Sequence, residues 1–111
     1  MDYLLHHLLR GSARAYGTKE ALVYREQRLT YQQLERLVDG LAHGLVFAGL
    51  QKGERVGIYL GKSIEQVVSI FAVSKAGGVF VPINDTLRPN QAKHIINDCQ
   101  MQGVIVDSTR L

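Results

Sequence analysis

The sequence predicts an α/β fold in which short parallel strands alternate with helices. Short apolar runs suited to buried strands, apolar residues at helical spacing between them, and capping residues at the helix starts support this prediction. Strands joined through helices of ten or more residues are expected to run parallel. The chain has 111 residues, of which 46% are hydrophobic and 21% charged. This is enough for one small domain or one piece of a larger one.

The first half of the chain is predicted to form a helix, a short β-hairpin and a second helix. DYLLHHLLRGSARAYG has leucines at helical spacing, and Asp2 can cap it. EALVYREQRLTY is typical of two strands around a turn near Glu26 and Gln27. Thr30 and Gln33 then form a capping box, in which each side chain accepts a backbone N–H. Gly49 suits the C-terminal cap. The predicted apolar face comprises Leu34, Leu37, Val38, Leu41 and Leu45.

The second half is predicted to form a parallel-sheet βαβαβ segment. RVGIYL is a strand, and SIEQVVSIFAVSKA is a helix with a second capping box from Ser63 to Gln66. VFVPI is a strand that ends at Pro82 or lies at a sheet edge, because proline donates no hydrogen bond. PNQAKHIINDC is a helix with Pro89 in its first turn, and GVIVDS is the last strand. The buried face predicted for this last helix comprises Ala92, Ile95, Ile96 and Cys99.

Composition and charge argue against several classes of function. The net charge is +3, and the basic residues are scattered without the stripe expected of a nucleic-acid binder. Cys99 is the only cysteine, which favours a reducing, cytoplasmic location. No apolar stretch approaches the roughly 20 residues that span a bilayer. His6 and His7 diverge by about 100° on a helix and cannot chelate one metal ion, so no metal site is expected.

The segment RVGIYLGKS, residues 55–63, has some likeness to a phosphate-binding loop. That loop needs four residues between its first glycine and the Gly-Lys pair, whereas only three separate Gly57 from Gly61. The three are strand formers, and Ser63 is placed to cap the next helix. We therefore expect a strand end and a helix cap here. The other strand ends, at which ligands of such sheets gather, are Asn84 with Asp85 and Asp107 with Ser108.

Two stretches resemble core motifs of the AMP-forming adenylating enzymes. LTYQQL (residues 29–34) is similar to L-[ST]-Y-x-E-L, and SKAGGVFVPIN (residues 74–84) is similar to L-K-A-G-x-A-Y-x-P-[LI]-D. Their order and separation also agree, with KGERVGIYL between them, and the resemblance covers essentially the whole chain. Gln33 replaces the usual Glu, and Asn84 with Asp85 stands where many relatives have Asn-Pro or Asp-Pro. DYLLHHLL, RVGIYLGKSIEQVV, AGGVFVPIN and AKHIINDC together resemble the exosortase A system-associated acyl-CoA ligases.

The resemblance implies that residues 1–111 are a partial N-terminal (AMP-binding) domain, with no complete second domain. The parent enzyme would use ATP, Mg²⁺ and CoA to convert a carboxylic acid to an acyl adenylate and then to a thioester. The family's phosphate loop, acidic ribose-binding motif and catalytic lysine are not among these residues. The resemblance therefore implies no catalytic residue in this segment, which is expected to be inactive alone and to bind no cofactor tightly.

The resemblance also implies a CoA-side position for the loop after the second motif. That loop contains Asn84, Asp85, Thr86 and Arg88. Arg88 suits a CoA phosphate, although a solvated surface arginine is the simpler interpretation. The isolated segment is expected to self-associate through an exposed sheet edge or apolar faces. Two alternatives are a self-standing α/β binding or regulatory module, and a small nucleotide-binding enzyme using Gly61, Lys62 and Ser63.

Overall fold

The structure is a computed structural model that describes residues 5–107, with side chains described from Leu9 onward. Asp2, Leu4 and Ser108, together with the side chains of His6 and His7, lie outside the described part. The helices are α1 (Leu5–Tyr16), α2 (Tyr31–Phe47), α3 (Ile64–Lys75) and α4 (Pro89–Asp98). The strands are β1 (Glu20–Tyr24), β2 (Gln27–Thr30), β3 (Arg55–Tyr59), β4 (Val79–Pro82) and β5 (Gly103–Val106).

The second half of the chain forms the predicted parallel sheet. Its strand order is β4-β3-β5, and β3 pairs in parallel with both neighbours. The predicted βαβαβ arrangement is therefore confirmed, as is the position of Pro82 at the end of an edge strand. The hairpin of β1 and β2 is antiparallel, and Tyr24 pairs with Gln27. Its connection is thus Arg25 and Glu26, one residue earlier than predicted.

Helix α2 begins at the predicted capping box. The Thr30 backbone N–H donates to Gln33 Oε1 at 2.9 Å, and the Gln33 backbone N–H donates to Thr30 Oγ1 at 3.2 Å. The helix ends just before Gly49. The φ of Gly49 is 105°, a backbone conformation that residues with a side chain rarely adopt. Val38 is buried, but Leu37 remains 47% exposed. The predicted apolar face is therefore only partly covered within residues 5–107.

Helix α3 begins with half of the predicted capping box. The Gln66 backbone N–H donates to Ser63 Oγ at 3.1 Å, as expected. The Gln66 side-chain amide instead donates to the Leu60 carbonyl at 3.2 Å. The reciprocal half of the prediction is wrong, because the Gln66 side chain is directed to the end of β3 and its oxygen does not accept from the Ser63 backbone N–H. Farther along α3, Lys75 forms a salt bridge with Asp39 of α2.

One core cluster joins α1, α2 and α3 and includes Leu9 and Val38, and two further clusters lie on the two faces of the central strand β3. Val56, Ile58 and Leu60 pack with Val73 on the α3 side. The opposite layer lies against α4 and contains Tyr59, Ile83 and Ala92. On α4, Ala92 is buried as predicted, while Ile95, Ile96 and Cys99 are only half-buried.

Gly57 allows β3 to fit close against its neighbours. A Cβ at this position would lie 2.6 Å from Met101 Sδ and 2.9 Å from Ile83 Cδ1. Both separations are shorter than van der Waals contact, so a side chain at this position would displace those of Met101 and Ile83 on the α4 side. Among residues 5–107, no helix combines the length and the apolarity needed to cross a membrane.

Candidate functional site

The carboxyl ends of the three parallel strands lie at one edge of the sheet. Beyond β3 come Leu60 and Gly61, and beyond β4 come Ile83 and Asn84. Asp107 follows β5. Ligands of open α/β sheets bind at such an edge, so these three chain segments are the first places to look for a site.

The segment after β4, residues 84–88, forms a self-bonded turn that we call the strand-end loop. Asn84 Oδ1 accepts from the Thr86 backbone N–H at 3.0 Å and from Thr86 Oγ1 at 2.8 Å. The Leu87 backbone N–H donates to the Asn84 carbonyl at 3.1 Å. An asparagine that bonds two residues ahead is a common way to hold a turn without regular secondary structure.

Tyr59 connects the strand-end loop to the core. Its ring is buried at 4% exposure, and its hydroxyl donates to the Leu87 carbonyl. The Arg88 backbone N–H donates to Gln91 Oε1 at 2.9 Å, which holds the junction between the loop and α4. The loop is therefore held from β3 on one side and from α4 on the other.

The side chains of the four predicted site residues, Asn84, Asp85, Thr86 and Arg88, are exposed on this loop. Within the described part of the chain, the Arg88 guanidinium has no hydrogen-bond or ion-pair partner. The loop therefore presents one cationic group to solvent on a locally ordered turn. Such a group can bind an anion, but nothing here selects which anion.

The segment after β3 is used differently. Gly57, Ile58 and Tyr59 lie within β3, so the backbone is extended where a phosphate loop would have to curl. The Ser63 hydroxyl accepts from the Gln66 backbone N–H and donates to the Gly61 carbonyl at 2.9 Å. A hydroxyl used in this way is a helix cap, so the geometry does not support a nucleotide site at Gly61, Lys62 and Ser63.

Sequence reasoning missed an apolar groove on the α3 side of the sheet. This strand-end groove has a volume of about 450 Å³ and lies between α2, α3 and the end of β5. Ser69 Oγ lies in its wall but donates to the Glu65 carbonyl at 2.7 Å. The exposed Leu37 is the local signal of this groove. Its apolar lining includes Leu37, Leu41, Leu60, Ile64, Val68 and Ile105.

Within residues 5–107, no three His, Cys, Asp or Glu side chains are grouped closely enough to hold a metal ion. The predicted site consists of one polar loop. The apolar strand-end groove, which was not predicted, lies on the other side of the sheet.

Comparison with known proteins decides the family. Residues 9–111 match the AMP-binding enzyme family. The chain belongs to this family. Tyrocidine synthase 1 of Brevibacillus parabrevis is 36% identical over 105 residues, which are 95% of this chain and 10% of that protein. Syringomycin synthase SyrB1 of Pseudomonas syringae pv. syringae is 33% identical over 107 residues, 96% of this chain and 17% of that protein.

Solved structures agree with this assignment. The chain of the anthranilate CoA ligase AuaEII, crystallised with anthranoyl-AMP, is 28% identical and gives a TM-score of 0.90. The match covers 96% of this chain and 21% of that one. The N-terminal domain of FACL13 from Mycobacterium tuberculosis is 28% identical with a TM-score of 0.86, over 93% of this chain and 26% of that one. The fold is therefore that of the start of an adenylate-forming N-terminal domain, and this chain spans only a small part of each relative.

Proposed function

We propose that this chain is the N-terminal scaffold portion of an ATP-dependent acyl-CoA ligase. The parent enzyme converts a carboxylate and ATP to an acyl adenylate and pyrophosphate, and then forms a thioester with CoA. A carboxylate is a poor electrophile, and the adenylate gives it a good leaving group. The match over residues 9–111 to the AMP-binding enzyme family is the observation that carries this proposal.

The choice of a CoA ligase within the family is supported by two features. AuaEII, which is named as an anthranilate CoA ligase, has a closely similar fold at 28% identity. The DYLLHHLL, RVGIYLGKSIEQVV, AGGVFVPIN and AKHIINDC segments resemble the exosortase A system-associated branch. We assign Mg²⁺, ATP and CoA to the parent enzyme as its cofactors and substrates. We also assign this enzyme to the cytoplasm.

A second candidate acceptor is a carrier-protein thiol. Tyrocidine synthase 1 is 36% identical to this chain, whereas the anthranilate CoA ligase AuaEII is 28% identical. One similar structure is NpsA-ThdA, an artificially fused adenylation–PCP di-domain from Klebsiella oxytoca, at 23% identity. The two candidates share the adenylation step and differ only in the acceptor. Supplying the parent enzyme's acyl adenylate with CoA or with a phosphopantetheinylated carrier protein separates them.

In the proposed enzyme, residues 1–111 carry no catalytic role. The strand-end loop is the one part that we place near a cofactor, with Asn84, Asp85, Thr86 and Arg88 on the CoA side. Arg88 would form charge-assisted hydrogen bonds to a CoA phosphate. The isolated chain also self-associates in this proposal, through a sheet edge or an apolar face that further polypeptide covers in the parent.

Exchange of pyrophosphate into ATP tests the proposal. The purified 111-residue chain is expected to show no carboxylate-dependent exchange, while the parent enzyme shows exchange with its own acid. Exchange by the pure short chain would contradict the scaffold role. A soluble, cooperatively melting chain whose native gene ends at Leu111 would favour a self-standing binding or regulatory module instead.

A further inference from the structure

The parallel sheet has two edges in the described part of the chain, and they differ. The strand order β4-β3-β5 leaves one side of β4 and one side of β5 without a neighbouring strand. An unpaired edge presents a row of backbone N–H and C=O groups that another strand can bind. Which groups point outward follows from the hydrogen bonds to β3.

The β4 edge is poorly suited to pairing. The Val79 N–H donates to the Glu54 carbonyl at 2.8 Å, and the Ile83 N–H donates to the Ile58 carbonyl at 2.9 Å. Because alternate residues of a strand point to opposite sides, Phe80 and Pro82 direct their backbone outward. Pro82 has no N–H to donate. The outward side of β4 therefore offers a single donor, that of Phe80.

Among residues 5–107, the outer side of β5 has no neighbouring strand. The Gln102 N–H donates to the Arg55 carbonyl at 2.8 Å, so the same alternation turns the backbone of Gly103 and Ile105 outward. The strand GVIV contains no proline, lysine or other charged residue, which are the features that commonly protect an edge. Both outward amides are thus available to a strand that approaches from this side.

We propose that β5 of a second copy of this chain pairs antiparallel with this edge, about a two-fold axis, to form a six-stranded sheet. Residues that point outward hydrogen-bond to each other in an antiparallel ladder. This places Ile105 opposite the partner's Ile105, and Gly103 opposite the partner's Asp107. The inference deepens the self-association proposed above and does not depend on the ligase chemistry.

Two observations favour a second copy as the occupant. Ile105 forms part of the floor of the strand-end groove, so the two isoleucines meet on an apolar surface that each copy leaves open. The ends of β5 also differ in charge. Two basic residues, Lys52 and Arg55, and one acidic residue, Glu54, border a depression beside Gln102, whereas the acidic Glu65 and Asp107 lie near the opposite end. Antiparallel pairing brings the acidic end of one copy toward the basic end of the other, and a two-fold axis closes the assembly at a dimer.

Sedimentation velocity over a wide concentration range tests this proposal, using Gly103→Pro as the main variant. The substitution removes one outward amide from each copy, and a Cβ at Gly103 has no heavy atom within 4 Å. Gly103→Ala is the matched control, because it keeps the amide. We expect wild type and Gly103→Ala to have the same dimer dissociation constant. For Gly103→Pro, this dissociation constant is expected to rise about tenfold or more.

Phe47→Ser tests the rival surface, since Phe47 is 95% exposed at the end of α2. It is expected to leave the dimer unchanged. A wild-type chain that stays monomeric at every concentration would overturn the proposal and leave the edge open for another polypeptide. So would a Gly103→Pro dimer as tight as that of Gly103→Ala, or loss of the dimer in Phe47→Ser.

Amide hydrogen exchange of the wild-type chain by NMR covers the case in which Gly103→Pro does not fold. The amides of Gly103 and Ile105 are expected to exchange more slowly as the concentration rises, while that of Phe80 stays constant. Protection of Phe80 alone, or no change at Gly103 and Ile105, would contradict the β5 interface. Neither result affects the ligase proposal, which depends on exchange by the parent enzyme.

Discussion

Two strand ends of the same sheet use their polar residues in opposite ways. After β3, the Ser63 hydroxyl and the Gln66 amide are both engaged by nearby backbone, which starts α3. After β4, the Asn84 side chain holds a turn from which Arg88 extends into solvent. The first end serves the fold, whereas the second leaves a cation available to a ligand.

This difference shows that matching residue types do not by themselves make a ligand site. The polar atoms of the motif must also be free of hydrogen bonds within the fold. Lys62 follows a glycine and precedes a serine, as in a phosphate loop, but β3 holds the preceding backbone extended. The strand-end loop has no recognised nucleotide motif, yet its geometry is the more open to a ligand. Four substitutions test the comparison, from the largest expected effect on stability to the smallest.

Gly57→Ala is expected to disrupt β3. This strand leads into the first strand end, and it holds the second through Tyr59. The added Cβ would lie 2.6 Å from Met101 Sδ, which overpacks the layer against α4. We expect the free energy of unfolding to fall by about 2 kcal/mol. Chemical denaturation measures this. Gly44→Ala is the control, since a Cβ there meets nothing within 4 Å and alanine favours the helix. Equal stability of Gly57→Ala and wild type would contradict the close packing.

Tyr59→Phe is expected to loosen only the second strand end. It keeps the buried ring but removes the donor to the Leu87 carbonyl. The free energy of unfolding should fall by about 1 kcal/mol, because a partly buried acceptor loses its partner. Hydrogen exchange should accelerate at Leu87 and remain unchanged at the Gln66 amide. Unaltered exchange at Leu87 would mean that Tyr59 does not hold the loop.

Ser63→Ala is expected to weaken only the first strand end. Loss of the N-cap hydroxyl should lower the free energy of unfolding by about 1 kcal/mol. Lys62→Ala is the neighbouring control and should change it by less than about 0.5 kcal/mol, as an exposed residue outside the cap. If the wild-type chain bound ATP and Lys62→Ala abolished this binding, the nucleotide-site alternative would be supported instead.

Arg88→Gln is expected to leave the fold unchanged, because the side chain is exposed and the capping contact uses its backbone. Stability should shift by less than about 0.5 kcal/mol. In the parent enzyme, the KM for CoA should rise several-fold while pyrophosphate exchange stays the same. Lys93→Gln on α4, also exposed, is the charge-matched control. An unchanged KM for CoA would remove the loop from the CoA side.

Much of the fold was predictable because its signals are local. The Thr30 and Gln33 capping box requires only neighbouring residues, and Pro82 can end an edge strand wherever the sheet lies. The Gln66 side chain was misassigned because its amide donates to the Leu60 carbonyl, which the end of β3 brings near. A pattern of residue types does not reveal such a tertiary contact.

The candidate site was predictable only as a sequence position. Asn84 and Arg88 were singled out by resemblance, and the structure adds the turn and its connection to Tyr59. The strand-end groove was missed because it depends on how far α2 lies from β5, which no local pattern encodes. The exposed Leu37 was grouped with the buried residues of α2 for the same reason.

Sequencing the native reading frame through and beyond the Leu111 codon tests whether residues 1–111 are the scaffold of an adenylate-forming enzyme. We expect the frame to continue into a Ser/Thr/Gly-rich segment that closes on Pro-Lys-Gly, the phosphate loop that the resemblance implies. In that case residues 1–111 are the scaffold of an adenylate-forming enzyme, and the KM measurement on Arg88→Gln then tests the proposed CoA side of the strand-end loop. A stop codon directly after Leu111 would contradict the account and leave a self-standing α/β module.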